Sequence, residues 1–244
     1  MATVSYQPTG IKSERRFYLG MGFATLAVVA IGFTPSFYLR GVVPPYEPFL
    51  PLTPLVILHG SLFSAWILFF LSQVSLVSAG RLDLHRRLGV VGALLAGAMI
   101  FVGILTGLYG AIRHSGPPIV PPLSWLAVPL FDIALFTGMV SAALYNRAKP
   151  QTHKRLMLLT TTGVVSAAVG RLPLFMIPFP IVILIAQGLL LTPLIVWDIK
   201  TRGRLHPATI GGGVAIFGSW LLRIAVWQTA PWLAFAAWAT SLVG

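Results

Sequence analysis

Long apolar runs alternate along this chain with short turns that are either basic or rich in proline. Seven apolar segments stand out, at 17–39, 54–79, 88–112, 123–146, 156–177, 181–198 and 208–229. At about 1.5 Å of rise per residue, ~20 helical residues cross a hydrocarbon layer of roughly 30 Å. The pattern therefore predicts an all-α fold, a polytopic bundle of seven transmembrane helices forming one domain over 17–244. The sixth segment is the shortest and carries Pro193. The first follows a polar tail, 1–16, with Lys12, Arg15 and Arg16. Its apolar stretch is too long for a signal-peptide core, so an uncleaved first helix is expected. The stretch 230–244 is apolar enough to lie in the outer interface or to prolong the last helix.

Composition agrees with that pattern. Hydrophobic residues make up 57% of the chain and charged residues only 9%, and the mean hydropathy is +0.87. A water-facing surface needs roughly 25% charged residues, so a soluble enzyme, a coiled coil and a disordered tail are excluded. Without cysteine the chain has no disulfide, thiolate metal ligand, iron–sulfur cluster or thiol nucleophile.

The net charge of +12 is unevenly spread. The N-terminal tail and three short turns, 81–87, 147–155 and 200–206, hold 13 of the 17 lysines and arginines. With seven spans all four lie on one side, whereas the loops 41–53, 115–122 and 178–180 are proline-rich and almost uncharged. This places the N-terminus in the cytoplasm and the C-terminus outside, in a bacterial inner membrane. Tyr38, Tyr46, Trp125, Trp227 and Trp232 then fall near the outer interface as an aromatic belt. Basic residues scattered over short turns argue against nucleic acid as a partner.

The basic turns repeat. Each has a base followed four residues later by histidine: Arg81/His85, Lys149/His153 and Arg202/His206. The first two continue as HRRLG and HKRLM, as expected of a duplicated two-helix hairpin with a degenerate third copy. The bases can snorkel to lipid phosphates while each histidine sits at a helix start. The sharper alternative is a metal site made by His85, His153 and His206. With LHGSLFSAWILFFLSQ upstream and RAKPQTHKRLMLLTTTG downstream, these turns resemble an uncharacterised group of bacterial multi-spanning membrane proteins with paired HRRLG/HKRLM-like turns. More loosely, they are similar to small membrane proteins of cytochrome oxidase assembly. The resemblance covers about residues 55–165; it implies respiratory or haem-related work and assigns no residue a role.

Ionisable side chains inside spans are costly and mark candidate sites. His59, Asp132, Arg171 and Arg223 are of this kind, with Gln187 as a neutral companion. Counted from the segment ends, all five lie roughly 7–11 Å below the outer boundary, on five different helices. Asp132 can neutralise one arginine and leaves the other in surplus, which calls for a carboxylate, a haem propionate, a quinone carbonyl or a lipid phosphate. Pro129 and Pro173 are expected to open backbone toward a cavity at this level. Tyr109, Arg113 and His114 end the third span at its rim. The alternative reading is that an Asp132–arginine pair staples helices and binds nothing. The Gly103–Gly107 spacing predicts a close helix contact.

No lysine lies in a predicted span, so a retinal Schiff base has no attachment point, and zinc-protease, GxSxG and Walker patterns are absent. A four-helix di-haem cytochrome would need more intramembrane histidines than His59 alone. Three functions stay open: a haem b- or quinone-linked redox or assembly protein, with His59 and His114 or the arginines as contacts; a transporter of small anions or lipid headgroups, with Asp132 or His59 relaying protons; and a non-catalytic subunit of a larger membrane complex. The reading favoured is an outward-opening cavity in the bilayer for a small anionic or carbonyl-bearing ligand.

Overall fold

The computed structural model describes residues 10–45, 50–172 and 181–244. Among these there is no strand, only an isolated bridge between Arg40 and Val43. Helix α1 (Ile11–Phe33) runs into a π-helical turn, Thr34–Tyr38. Then come α2 (Pro54–Ser78), α3 (Leu82–Ile112), a short α4 (Pro122–Trp125), α5 (Ala127–Tyr145), α6 (Pro150–Gly163), a single turn α7 (Ser166–Val169), α8 (Ile181–Arg202), α9 (Pro207–Val226) and α10 (Ala230–Ser241). Six helical stretches are long and apolar enough to cross a membrane: Lys12–Tyr38, Pro54–Ser78, Leu82–Ile112, Pro122–Tyr145, Ile181–Arg202 and Pro207–Val226. The chain is thus a multi-pass, all-helical membrane protein.

Local chemistry explains where the helices start and stop. Proline at the first helical position, where no backbone N–H is needed, opens α2, α6 and α9. The Thr53 hydroxyl caps α2 by accepting from Val56 N. Helix α2 ends with Gly80 in the left-handed region at φ 78°, and Arg81 N donates to Leu76 O at 2.8 Å. Helix α3 closes in the same way, Ser115 N donating to Gly110 O at 2.9 Å, but the left-handed residue is His114, at φ 54°. Glycine is the usual occupant there because it has no β-carbon to crowd the next carbonyl.

The segment predicted at 156–177 departs most from expectation. It is a broken helix: α6 stops at Gly163, and α7 resumes for one turn at Ser166. Residues 173–177, with Pro173, lie outside the described residues, as does Tyr46. This segment is also the most enclosed. α6 packs against α1, α5, α8 and α9, and α7 packs against α1 and α8. Leu158, Leu159, Thr160, Thr161, Thr162, Val165, Ser166 and Ala168 are all buried. Protein rather than lipid surrounds it, so its threonines need not be apolar; each hydroxyl donates to a carbonyl one turn back, and Thr161 also accepts from Trp66 Nε1 at 3.3 Å. The segment lies along α1 from end to end, with Lys154 paired to Glu14 at one end and Ala168 against Gly32 at the other. A β-carbon on Gly32 would collide with the Ala168 carbonyl oxygen.

Other boundaries shift less. α1 begins at Ile11, so Lys12, Arg15 and Arg16 stand on its first turns rather than in a tail. The stretch 122–145 breaks between α4 and α5 at Leu126, and Pro193 sits inside α8 without ending it. Gly103 faces the Ile133 side chain and Gly107 faces Pro129, the expected close contact, here between α3 and α5. The C-terminal stretch forms a separate helix, α10, whose Ala236 and Ala239 pack with Leu108, Ala111 and Leu126, while Trp232 Nε1 donates to Leu123 O at 2.9 Å. Leucines, valines and isoleucines such as Leu94, Leu189 and Val214 cover the outer faces.

Candidate functional site

The polar groups expected at one outer level do not gather into a single pocket. They form two groups and one isolated bond. In the first group, Arg223 of α9 is fully buried and its Nη1 donates to Asp132 Oδ1 of α5 at 2.8 Å. Its other nitrogens are held by Ser219, through the carbonyl at 3.2 Å and the hydroxyl at 2.6 Å. The Trp220 ring lies 4.1 Å from the guanidinium carbon. Ser166 of α7 donates to Asp132 Oδ2 at 2.9 Å. Asp132 therefore chooses Arg223 over Arg171, and the pair is neutral and bonded on both sides.

Gln187 of α8 makes the isolated bond, donating from Nε2 to Gly163 O at 3.2 Å. The break after α6 frees that carbonyl from its helical partner, and a buried free carbonyl needs a donor. Gln187 is thus a seam between α8 and the broken segment.

The second group gathers at the ends of α1, α2 and α7 that the charge pattern predicts to face outward, called outer below. Arg171 follows α7 and is half-buried. It donates to Ala167 O at 2.7 Å, and its guanidinium carbon stands 4.6 Å from the Phe33 ring centre. It has no carboxylate partner among the described residues. The charge inventory makes this informative. Of five acidic residues in the chain, Glu14 pairs with Lys154, Asp83 with Arg81, Asp132 with Arg223 and Asp198 with Arg155. The fifth, Glu47, lies outside the described residues. His59 of α2 is within electrostatic reach of Arg171. Its ring stacks on Phe63 at 4.2 Å, and its Nδ1 is buried without a partner among the described residues.

The remaining expectations fare differently. Tyr109, Arg113 and His114 make their contacts at the rim: Arg113 donates to Pro51 O at 2.8 Å and lies over the Tyr109 ring at 5.6 Å. His114 lines a shallow concavity with residues 116–122. Pro129 leaves α5 continuous. It sits in the first turn of α5, where the missing N–H costs no helical bond, and packs on Gly107. The three-histidine metal centre does not form, since no group of three or more possible ligands converges among the described residues. His85 and His153 approach, their ring centres 6.3 Å apart, but His153 Nδ1 bonds the Ala143 carbonyl at 2.8 Å. His206 Nδ1 is taken up as the cap of α9, accepting from Ala208 N at 3.0 Å.

The opposite end, predicted to face inward and called inner below, holds a network that the spacing arguments missed. Arg155 and Asp198 are both buried, with Arg155 Nε and Nη2 donating to Asp198 Oδ1 at 2.9 and 2.5 Å. Oδ2 accepts from His206 N at 2.9 Å and from Thr209 Oγ1 at 2.6 Å. Gln151 takes Arg155 Nη1 through its carbonyl and its side-chain oxygen. Burial, then the charges of Arg155 and Arg202, hold the His206 imidazole below its ordinary pKa of 6.5. Arg155 was hidden in a basic turn and Asp198 at the margin of an apolar run. The available signal was the rarity of acids: an aspartate at a span end of so basic a chain has to be paired.

Comparison with known proteins adds no family. No family model, curated protein or solved structure matches the chain.

Proposed function

We propose that the chain crosses a bacterial cytoplasmic membrane seven times, with the broken α6–α7 segment as the fifth crossing. In this reading its outer end binds a small ligand carrying a carboxylate or carbonyl oxygen. The seven crossings are supported by the course of α6–α7, which accompanies α1 from Glu14 to Gly32, about 27 Å of helix rise. The basic turns then share one end, as for a cytoplasmic face, and the turns at His85 and His153 keep the hairpin repeat.

One observation carries the binding role. Arg171 keeps a guanidinium without a carboxylate among the described residues, within electrostatic reach of an imidazole whose Nδ1 has no partner there. Phe33 and Phe63 flank the two groups. Two polar groups against aromatic walls suit an amphiphile such as a quinone: the guanidinium donates to a carbonyl oxygen, His59 supplies a second polar contact, and the rings pack on the apolar part. Haem b is the weaker reading, because the His59 ring is stacked on Phe63 and no second histidine contact is seen at this group among the described residues. The paired Asp132 and Arg223 favour a second reading, an accessory subunit whose polar layer only holds helices together.

The test is an absorbance spectrum and ligand mass spectrometry on detergent-purified protein, wild type against Arg171→Gln. The expected result is a co-purifying quinone or acidic amphiphile, lost in Arg171→Gln and kept in Arg113→Gln. A wild-type preparation with no ligand above detergent background would leave the accessory-subunit reading in its place.

A further inference from the structure

A second cluster of cations without carboxylate partners lies at the opposite end of the bundle. The turn between α8 and α9 folds back over the start of α6 and leaves a concavity of about 450 Å³, lined by Thr152, Arg202, Arg204, Leu205, His206, Pro207 and Ala208. No carboxylate lines it. The nearest acid in the sequence, Asp198, has both oxygens occupied by Arg155, His206 N and Thr209. Arg202 and Arg204 make no ion pair among the described residues, and Arg202 Nε is buried with no hydrogen-bond partner there. A buried guanidinium N–H without an acceptor is costly and asks for one.

The histidine adds a directed donor. Its Nδ1 accepts from Ala208 N, so in the neutral ring the proton sits on Nε2. Arg202 lies within electrostatic reach of this ring. The polar side chains of the concavity are thus two guanidiniums, an imidazole N–H and the Thr152 hydroxyl, all able to donate. Such a set is complementary to a tetrahedral oxyanion with several acceptor oxygens.

We infer that this concavity is a phosphate site on the basic face, held by Arg202, Arg204, His206 and Thr152. The phosphate comes either from the headgroup of an anionic phospholipid or from a free phosphate. The site is separate from the outer Arg171 group, and its occupancy does not depend on that reading.

The experiment compares full-length wild type with Arg202→Gln/Arg204→Gln and with Arg86→Gln/Arg87→Gln, which alters another basic turn equally. Each is reconstituted in nanodiscs of phosphatidylcholine with phosphatidylglycerol, and retained lipids are counted by native mass spectrometry. In parallel, inorganic phosphate is titrated into delipidated protein in neutral detergent, following the His206 imidazole by NMR. Retained phosphatidylglycerol that falls about tenfold or more in Arg202→Gln/Arg204→Gln alone assigns a lipid headgroup. Saturable binding of inorganic phosphate, lost in the same variant, assigns a free phosphate. Wild type that prefers neither phosphatidylglycerol nor phosphate overturns the site, and so does equal loss in both double variants. The wild-type preference is read without any variant, so a poorly folding mutant does not blunt the test.

Discussion

The inner and outer ends of this bundle each bury an aspartate–arginine pair, and the two are finished differently. At the inner end both Asp198 oxygens are filled, one by Arg155 and one by the His206 amide and the Thr209 hydroxyl, and neither charged side chain is more than 1% exposed. At the outer end Asp132 receives one arginine nitrogen and one serine hydroxyl and stays 16% exposed. In the other group at this end, Arg171 and His59 are left with unused donor or acceptor capacity. A fully bonded buried pair has nothing to offer a ligand and serves as a lock. The Asp198–Arg155 pair is thus committed to structure, whereas the Asp132 pair stays partly open and has uncommitted polar groups at its end of the bundle.

The largest expected effect breaks this contrast directly. Asp198→Ala strands the Arg155 guanidinium in a closed site and should lower stability by about 3–5 kcal/mol, read as a fall in thermal unfolding midpoint in detergent. Asp132→Ala should cost about 1–3 kcal/mol, because Arg223 keeps its Ser219 bonds and the site is partly open. Equal losses at the two positions would erase the distinction. Replacing the inner pair together, Arg155→Met with Asp198→Leu, should recover most of the deficit.

Next in size is Gly32→Ala. Its new methyl group meets a backbone carbonyl rather than a movable side chain, so α1 and α7 must part, at about 1–3 kcal/mol. Ligand retention at Arg171 should fall with it, since Phe33 and Arg171 sit on the two separated elements. A variant as stable as wild type would show that the contact is not tight.

The pH dependence sharpens the inner side. The folded pKa of His206 is held below 6.5, so the folded state favours the neutral ring. The stability of the α8–α9 turn is fully present above the unfolded value of 6.5 and declines as pH falls through the lower folded value. Protonation removes the Nδ1 acceptor from Ala208 N and adds a cation beside Arg155 and Arg202. The protection factor of the Ala208 amide, its exchange rate corrected for the intrinsic pH dependence, should fall below pH 6.5, with a loss of about 1 kcal/mol, and His206→Asn should flatten the profile.

The smallest effect is at the rim. His114→Gly relieves a left-handed histidine at the end of α3 and should stabilise by ~1 kcal/mol or less. Ligand binding at Arg171 should not change, because His114 lines a concavity in which Arg171 takes no part.

Much of this was legible from the pattern of residues. Apolar runs located the long helices because lipid-facing surface must be apolar whatever it packs on. The rarity of acids also implied that Asp132 would take an arginine and leave a second one over. What the pattern could not show was which partner a side chain would meet. Arg223 rather than Arg171 won Asp132 because α9 lies against α5. Gln187 spends its amide on a carbonyl that exists only because α6 breaks at Gly163. Arg155–Asp198 joins residues 43 positions apart, a proximity set by packing rather than by sequence spacing.

The enclosure of residues 150–172 also bears on how the protein is made. As the proposed fifth crossing, a stretch with three consecutive threonines and an arginine at its head is a poor substrate for unaided insertion by the translocation machinery. Its buried polar groups find partners on α2, α5 and α8, and α8 is synthesised after it. Biogenesis should therefore stall at this segment until α8 and α9 emerge, and a nascent chain cut short near residue 172 is the intermediate that quality-control proteases would be expected to capture.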